Sequence, residues 1–229
     1  MTRTTNARLA GFTFLFYIAV GLTSMALANR WMSAEGTATK LARMAEHAAD
    51  VRATVVLAVL AGLSALVLAV TLHALTRDED ADLAMLALTC RVGEGVLCFS
   101  GIPETLELLR LATSSATPGA LDSGAVGAVN VLGGFLLGAG GFGPLPTSIL
   151  FAVGSTLFCY LFLRARTIPT ALAWLGVIAS VLLVVALPAQ LAGVLKGPLT
   201  TYVWMPGLLF EVAFALWLMV KGFAARAAR

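Results

Sequence analysis

Apolar runs of about 20 residues recur along this 229-residue chain and limit the folds open to it. Hydrophobic residues make up 59% of the chain and charged residues 12%, about half of the roughly 25% that soluble domains carry. Because a run of this length crosses a bilayer as a helix, we expect an all-α polytopic membrane bundle, one domain over residues 1–229. The predicted spans cover residues 9–27, 53–75, 83–102, 142–163, 171–195 and 203–220.

The two longest connections have helical pieces of their own. In residues 29–51, the alanine-rich centre at 39–49 predicts a short surface helix. Pro103 can open a new helical turn after the third span. A second apolar piece, at about residues 122–138, is too short to span comfortably and precedes a glycine-rich break at residues 138–146. We expect this piece to be a non-spanning helix that lies at the interface or re-enters the bundle.

Positive charge predicts the orientation of the bundle. The N-terminus, residues 164–170 and the C-terminus are short segments that hold most of the lysine and arginine on one side. Because short cytoplasmic segments are enriched in these residues, we expect both termini in the cytoplasm. The first apolar run is long enough to span, so we expect it to stay as a helix and not to be removed as a signal peptide.

Four polar side chains fall inside the predicted spans at similar depth. A charge near the bilayer centre costs about 2.5–3.5 kcal/mol on insertion scales, so such residues usually face a protein interior or a wet cavity. At about 1.5 Å per residue, each member of this polar layer lies about 14–18 Å from the cytoplasmic end of its span. The polar layer consists of Arg91, Glu94, Tyr17 and Glu211.

The polar layer predicts a ligand site. Arg91 and Glu94 are three apart and share one helix face, and we expect Arg91 to pair across the bundle with Glu211. A guanidinium donates several hydrogen bonds and accepts none, which favours an anionic or carbonyl-bearing ligand. The predicted function is binding or translocation of a small anionic, lipid-like or ionic ligand. The same charges are also typical of a structural clasp that fixes helix register.

Other chemistry has little support in the residue pattern. His47 and His73 have no second histidine or cysteine at ligand spacing, so we expect no metal and no other cofactor. The three cysteines fall within predicted spans, and we expect them to pack as small apolar residues. The sequence has no basic stripe with interleaved aromatic residues, so we do not expect nucleic acid as a partner. An intramembrane enzyme is the less favoured class, because HExxH, GxSxG and paired-Asp motifs are lacking.

A small-residue face on the second span supports an alternative function. A membrane-protein partner or a second copy of the chain could pack on this face, although it equally suits internal packing. The chain would then be a structural or accessory subunit. The face consists of Ala58, Ala61, Ala65 and Ala69.

Five segments, taken in order, resemble a known family. They are Arg8-Leu-Ala-Gly-Phe-Thr-Phe-Leu-Phe-Tyr17, Arg91-Val-Gly-Glu94, Cys159-Tyr-Leu-Phe-Leu-Arg-Ala-Arg-Thr-Ile-Pro169, Ala173-Trp-Leu-Gly-Val-Ile-Ala179 and Phe210-Glu-Val-Ala-Phe-Ala-Leu-Trp-Leu-Met-Val-Lys-Gly222. Their order and spacing are similar to those of the Domain of Unknown Function 4386 family of bacterial integral membrane proteins.

The resemblance implies a six-helix bundle in the bacterial cytoplasmic (inner) membrane, and it implies no established activity. It covers roughly residues 8 to 222. Cys159 stands where family members typically have glycine, and His73 stands where tyrosine is common.

Overall fold

Helices and short turns make up the computed structural model, which describes residues 2–116, 123–140 and 144–222. Within those ranges the structure contains no strand, and the predicted all-α class is confirmed. The helices are α1 (Arg3–Met32), α2 (Thr37–Glu46), α3 (Ala48–Thr76), α4 (Ala81–Leu97), α5 (Gly101–Ser115), α6 (Ser123–Gly140), α7 (Pro144–Ala165), α8 (Thr170–Leu191), α9 (Leu199–Tyr202) and α10 (Met205–Val220).

Among the described residues, 6 helical segments are long and apolar enough to cross a membrane, which confirms the predicted number and order. They are Arg3–Met32, Ala48–Thr76, Ala81–Ser115, Leu145–Ala165, Thr170–Leu191 and Leu199–Val220. A shorter apolar helix, Gly124–Gly138, forms most of α6 and agrees with the non-spanning helix predicted before the fourth span. The glycine-rich break predicted at residues 138–146 lies partly outside the described residues, because 141–143 are not among them.

The third span is longer than the sequence predicts. It was expected to end at residue 102, but the apolar helical segment continues to Ser115 through a turn at residues 98–100. Proline has no backbone N–H, so Pro103 cannot donate the i→i−4 hydrogen bond to the Phe99 carbonyl. Instead the Ile102 N–H donates to that carbonyl at 3.2 Å, and the chain tightens there before α5 begins. Helix α5 therefore begins at Gly101, next to the proline at which the sequence predicted a new helical turn.

The chain packs as two compact units, a division that the one-domain prediction for residues 1–229 did not contain. Unit 1 holds Met1–Ile18, Leu63–Val96 and Leu145–Arg229. Its core is aromatic, with Phe214 of α10 at the centre. The ring centroids of Phe14, Phe162 and Phe210 lie 5.7, 5.2 and 5.3 Å from that of Phe214.

Charged side chains connect the helix ends at one end of unit 1. In the last turn of α7, the Arg164 Nη1 donates to Asp80 Oδ2 at 3.1 Å, and Nε lies 3.4 Å from Glu79 Oε1. Both carboxylates belong to the turn between α3 and α4. At the start of α1, Arg3 Nη2 donates to the Leu75 carbonyl at 3.2 Å. The beginnings and ends of four helices therefore meet at this end of unit 1.

Unit 2 holds Ala19–Gly62 and Leu97–Pro144. Helix α2 corresponds to the predicted surface helix and buries Leu41 and Met44 in the core of this unit. Helix α6 approaches α2 closely, because a Cβ at Gly133 would come within 2.8 Å of Leu41 Cδ1. The two short helices that the sequence predicted in the long connections thus bury apolar surface in unit 2.

Candidate functional site

Helix α4 places the two charges of the third span in contact. Arg91 and Glu94 lie one turn apart, and each side chain is 1% exposed. Arg91 Nη1 lies 2.8 Å from Glu94 Oε2, although the angle between the groups is not that of a hydrogen bond. Removing two charges from water is costly, and here their mutual attraction offsets part of that cost.

Tyr17 joins this pair from α1. Its hydroxyl donates to Glu94 Oε1 at 3.1 Å, so the two carboxylate oxygens of Glu94 have different partners. Three of the four residues of the predicted polar layer are therefore connected through one carboxylate.

Helix α7 forms the other side of the Arg91 site. The Arg91 Cζ lies 4.9 Å from the centroid of the Phe151 ring, within the range of a cation–π contact. The aliphatic stem of Arg91 crosses α7 at Gly154, where a Cβ would come within 3.0 Å of the Arg91 Cγ. The missing side chain of Gly154 is what lets the stem lie against the helix.

The Arg91 guanidinium keeps donors without acceptors. Among the residues that the structure describes, Arg91 Nε and Nη2 are buried and have no hydrogen-bond partner. An unpaired buried donor costs about 1–3 kcal/mol, and more when the group is charged. Glu94 therefore balances the charge of Arg91 without satisfying its hydrogen bonds.

The predicted ion pair between Arg91 and Glu211 is wrong. Of the described carboxylates, the one within 4 Å of Arg91 is that of Glu94. Glu211, half-buried on α10, instead lines a cavity in unit 1. The position of a residue along a span determines its depth in the membrane but not the direction in which its side chain points. Equal depth was therefore not sufficient to predict an ion pair between Arg91 and Glu211.

The cavity beside Glu211 is small and aromatic. Its volume is about 20 Å³, room for about one water-sized group. Glu211, Ser155, Ser180 and Cys159 supply its polar atoms. The rest of the wall is mainly phenylalanine, from Phe14, Phe151, Phe158, Phe162, Phe210 and Phe214.

The sequence analysis missed Phe151 and Gly154. A glycine within an apolar span is a signal of close helix approach, so the sequence did carry a signal for Gly154. Phe151 carries no such signal, because it is one of 12 phenylalanines in the chain. Its role follows only from the contact with Arg91.

The remaining candidates, in the part of the chain that the structure describes, form neither a disulfide nor a metal site. No two of the three cysteines, all of them described, are joined in a disulfide bond. The Nδ1 of His73 lies 3.3 Å from the Ala84 carbonyl oxygen, a contact between α3 and α4. Within the described residues, no group of three His, Cys, Asp or Glu side chains is arranged to hold a metal ion.

Comparison with known families agrees with the resemblance drawn from the sequence. The family model described as "Domain of unknown function (DUF4386)" matches residues 9–222, nearly the whole chain. The chain belongs to this family. Arg91, Glu94, Tyr17 and Glu211 all lie inside the matched region. No curated protein and no solved structure gives a significant match.

Proposed function

We propose that the bundle binds a small carbonyl-bearing ligand at Arg91, as the central step of a binding or translocation function. The observation that carries the proposal is the buried Arg91 guanidinium, whose Nε and Nη2 have no acceptor among the described residues. Inside a bilayer no bulk water is present to satisfy these donors, so an acceptor oxygen from a ligand would stabilise them. Intramembrane ionisable residues commonly mark such pathways.

Charge favours a neutral ligand over an anion. Arg91 and Glu94 balance each other at 2.8 Å, and Glu211 adds a second carboxylate on the cavity wall. A bound anion would therefore add a negative charge that Arg91, already balanced by Glu94, would not offset. An amide or ester oxygen offers the same lone pairs to Arg91 without that repulsion.

Size favours a small ligand or a narrow end of a larger one. The cavity of about 20 Å³ holds about one water-sized group without movement of its walls. A lipid-like ligand would have to place its carbonyl there and leave most of its chain outside.

The test is binding of two matched series of small molecules to the purified full-length protein in lipid nanodiscs. The series are acetamide, butyramide and hexanamide, and the corresponding carboxylates acetate, butyrate and hexanoate. We expect the amides to raise the thermal unfolding midpoint and the carboxylates to have less effect. A stronger effect of the carboxylates would contradict the neutral ligand, and a lipid retained in native mass spectrometry would identify a lipid-like one.

Arg91→Lys provides the matched variant. Lysine keeps the charge but loses the planar donor arrangement of arginine. Because a hydrogen bond to a charged group contributes about 1.5–3 kcal/mol, we expect amide affinity to fall about 10- to 100-fold. Arg110→Lys, at an arginine whose side chain is 78% exposed, should leave affinity unchanged. Equal binding by both variants would place the ligand elsewhere.

The accessory-subunit alternative has less support. Ala65 and Ala69 of the small-residue face on α3 are fully buried and contribute to internal packing, whereas Ala58 and Ala61 are partly exposed. Half of the face is therefore used within the chain, and a partner would have to pack on the other half.

For localisation, we propose a multi-pass protein of the bacterial cytoplasmic membrane with both termini inside. The contacts of Arg3 with Leu75 and of Arg164 with Asp80 support a common side for the N-terminus and residues 164–170. Single cysteines at positions 40 and 229, in a chain whose native cysteines are alanine, would decide the orientation. A membrane-impermeant thiol reagent should label intact cells at position 40, and labelling at position 229 would refute this topology.

A further inference from the structure

One aromatic ring lies between the Arg91 site and the cavity. Phe151 of α7 lines the cavity together with Glu211, and its ring centroid lies 4.9 Å from the Arg91 Cζ. Arg91 is not among the described residues that line the cavity. The Phe151 side chain therefore contacts both the Arg91 guanidinium and the cavity.

The stem of Arg91 is more tightly enclosed than the Phe151 ring. Any Cβ at Gly154 would lie within 3.2 Å of both Arg91 Cδ and Cys90 Cβ, which shows how closely α4 and α7 pack there. Arg91 is 1% exposed, whereas Phe151 is only partly buried and lines the cavity.

A second aromatic side chain limits the positions that the ring can take. Trp204, which precedes α10, lies with its ring centroid 6.1 Å from that of Phe151 at an interplanar angle of 34°. The Phe151 ring is therefore bounded by Arg91 on one side and by the beginning of α10 on another.

We propose that Phe151 is a specificity-determining residue, whose ring sets the size of the group that passes from the cavity to Arg91 Nε and Nη2. The identity of the ligand rests on the proposed function above. The control of access to Arg91 does not, because it is argued from the contacts of the ring with the Arg91 guanidinium and with the cavity.

Chemical modification of Arg91 tests access without any assumption about the ligand. Methylglyoxal is a small neutral dicarbonyl that condenses with guanidinium groups, and peptide mass spectrometry reads its rate at each arginine. Because the rate at a buried group follows the population of its open form, Phe151→Leu should speed modification of Arg91 about tenfold or more. The exposed Arg110 provides the internal reference, and its rate should not change.

Two further variants separate control of access from general loosening. Phe158→Leu removes a ring from the same cavity wall, at a residue two helical turns along α7, and should change the Arg91 rate by less than about twofold. Phe151→Tyr keeps the ring and should preserve the slow rate. If Phe151→Leu fails to fold, Phe151→Met removes the ring with a more flexible side chain.

The outcomes distinguish this inference from the proposed function. An Arg91 rate unchanged by Phe151→Leu, or raised equally by Phe158→Leu, would overturn the role of Phe151. A faster rate in Phe151→Leu alone supports it, even if none of the amide probes binds, in which case the proposed function fails by itself. If the amides do bind, Phe151→Leu should extend binding to amides longer than the longest one that the wild-type protein binds, and an unchanged length limit would overturn the inference.

Discussion

Two arginine–glutamate pairs with the same spacing lie on consecutive helices in opposite surroundings. Arg91 and Glu94 on α4 are each 1% exposed and 2.8 Å apart, whereas Glu107 and Arg110 on α5 are 60% and 78% exposed and 3.8 Å apart. The two pairs have the same residue types and the same spacing, so we expect burial to determine how much each pair contributes to the free energy of unfolding. An exposed pair contributes about 0–1 kcal/mol, while breaking a buried pair by removing one partner costs about 3–5 kcal/mol.

The largest expected effect comes from neutralising the buried carboxylate. Glu94→Gln leaves the charge of Arg91 buried without its counter-ion, and we expect a loss of about 3–5 kcal/mol in the free energy of unfolding. Glu107→Gln at the exposed pair should cost no more than about 1 kcal/mol. Unfolding by SDS titration in mixed micelles measures both. Equal losses would show that burial does not set the difference between the pairs.

The next effect concerns the third member of the buried group. Tyr17→Phe removes the hydroxyl that donates to Glu94 Oε1 at 3.1 Å and keeps the ring. A hydrogen bond to a charged group contributes about 1.5–3 kcal/mol, and we expect the lower end because Tyr17 is only partly buried. Tyr202→Phe, at a tyrosine that is 65% exposed, is the control and should stay within about 0.5 kcal/mol of wild type. Loss of stability in both variants would indicate a general effect of the tyrosine hydroxyl.

A smaller effect is expected from crowding the Arg91 stem. Gly154→Ala would place a Cβ 3.0 Å from Arg91 Cγ, and overpacking of this kind typically costs about 1–3 kcal/mol. Gly21→Ala in α1 has no atom within 4 Å of its Cβ, so it should stabilise the helix by up to about 1 kcal/mol. Thermal unfolding of the two variants should shift in opposite directions. A gain in stability from Gly154→Ala would mean that Arg91 moves aside freely.

Added salt should produce the smallest change in stability, but it should distinguish the exposed pair from the buried pair most directly. Exposed charges are screened over about 10 Å at 0.1 M ionic strength and over about 3 Å at 1 M. The coupling energy between Glu107 and Arg110, from a double-mutant cycle, should therefore fall from a few tenths of a kcal/mol to near zero over this range. The Arg91–Glu94 coupling should change little, and a similar decline there would reveal access of water and ions.

Hydropathy predicted the architecture because the bilayer demands long apolar helices, and the spans could be recognised from composition alone. It placed the end of the third span at residue 102, whereas the apolar helical segment continues to Ser115 after a tight turn at residues 98–100. The i,i+3 spacing of Arg91 and Glu94 predicted their contact, because one helix determines both positions. The side to which Glu211 points could not be predicted in this way, since it depends on the rotation of α10 about its own axis. The contact of Phe151 with Arg91 could not be predicted either, because it depends on how α7 packs against α4.

Pairing within one helix also has an electrical consequence. Moving one elementary charge across the membrane potential involves about 2.3 kcal/mol per 100 mV. Because Arg91 and Glu94 are both on α4, any displacement of that helix along the membrane normal carries opposite charges together. The work done against the field on one charge cancels that on the other. If the arginine were paired with a carboxylate on α10, sliding the two helices past each other would transfer net charge. The arrangement in α4 therefore makes movement of this helix electrically silent.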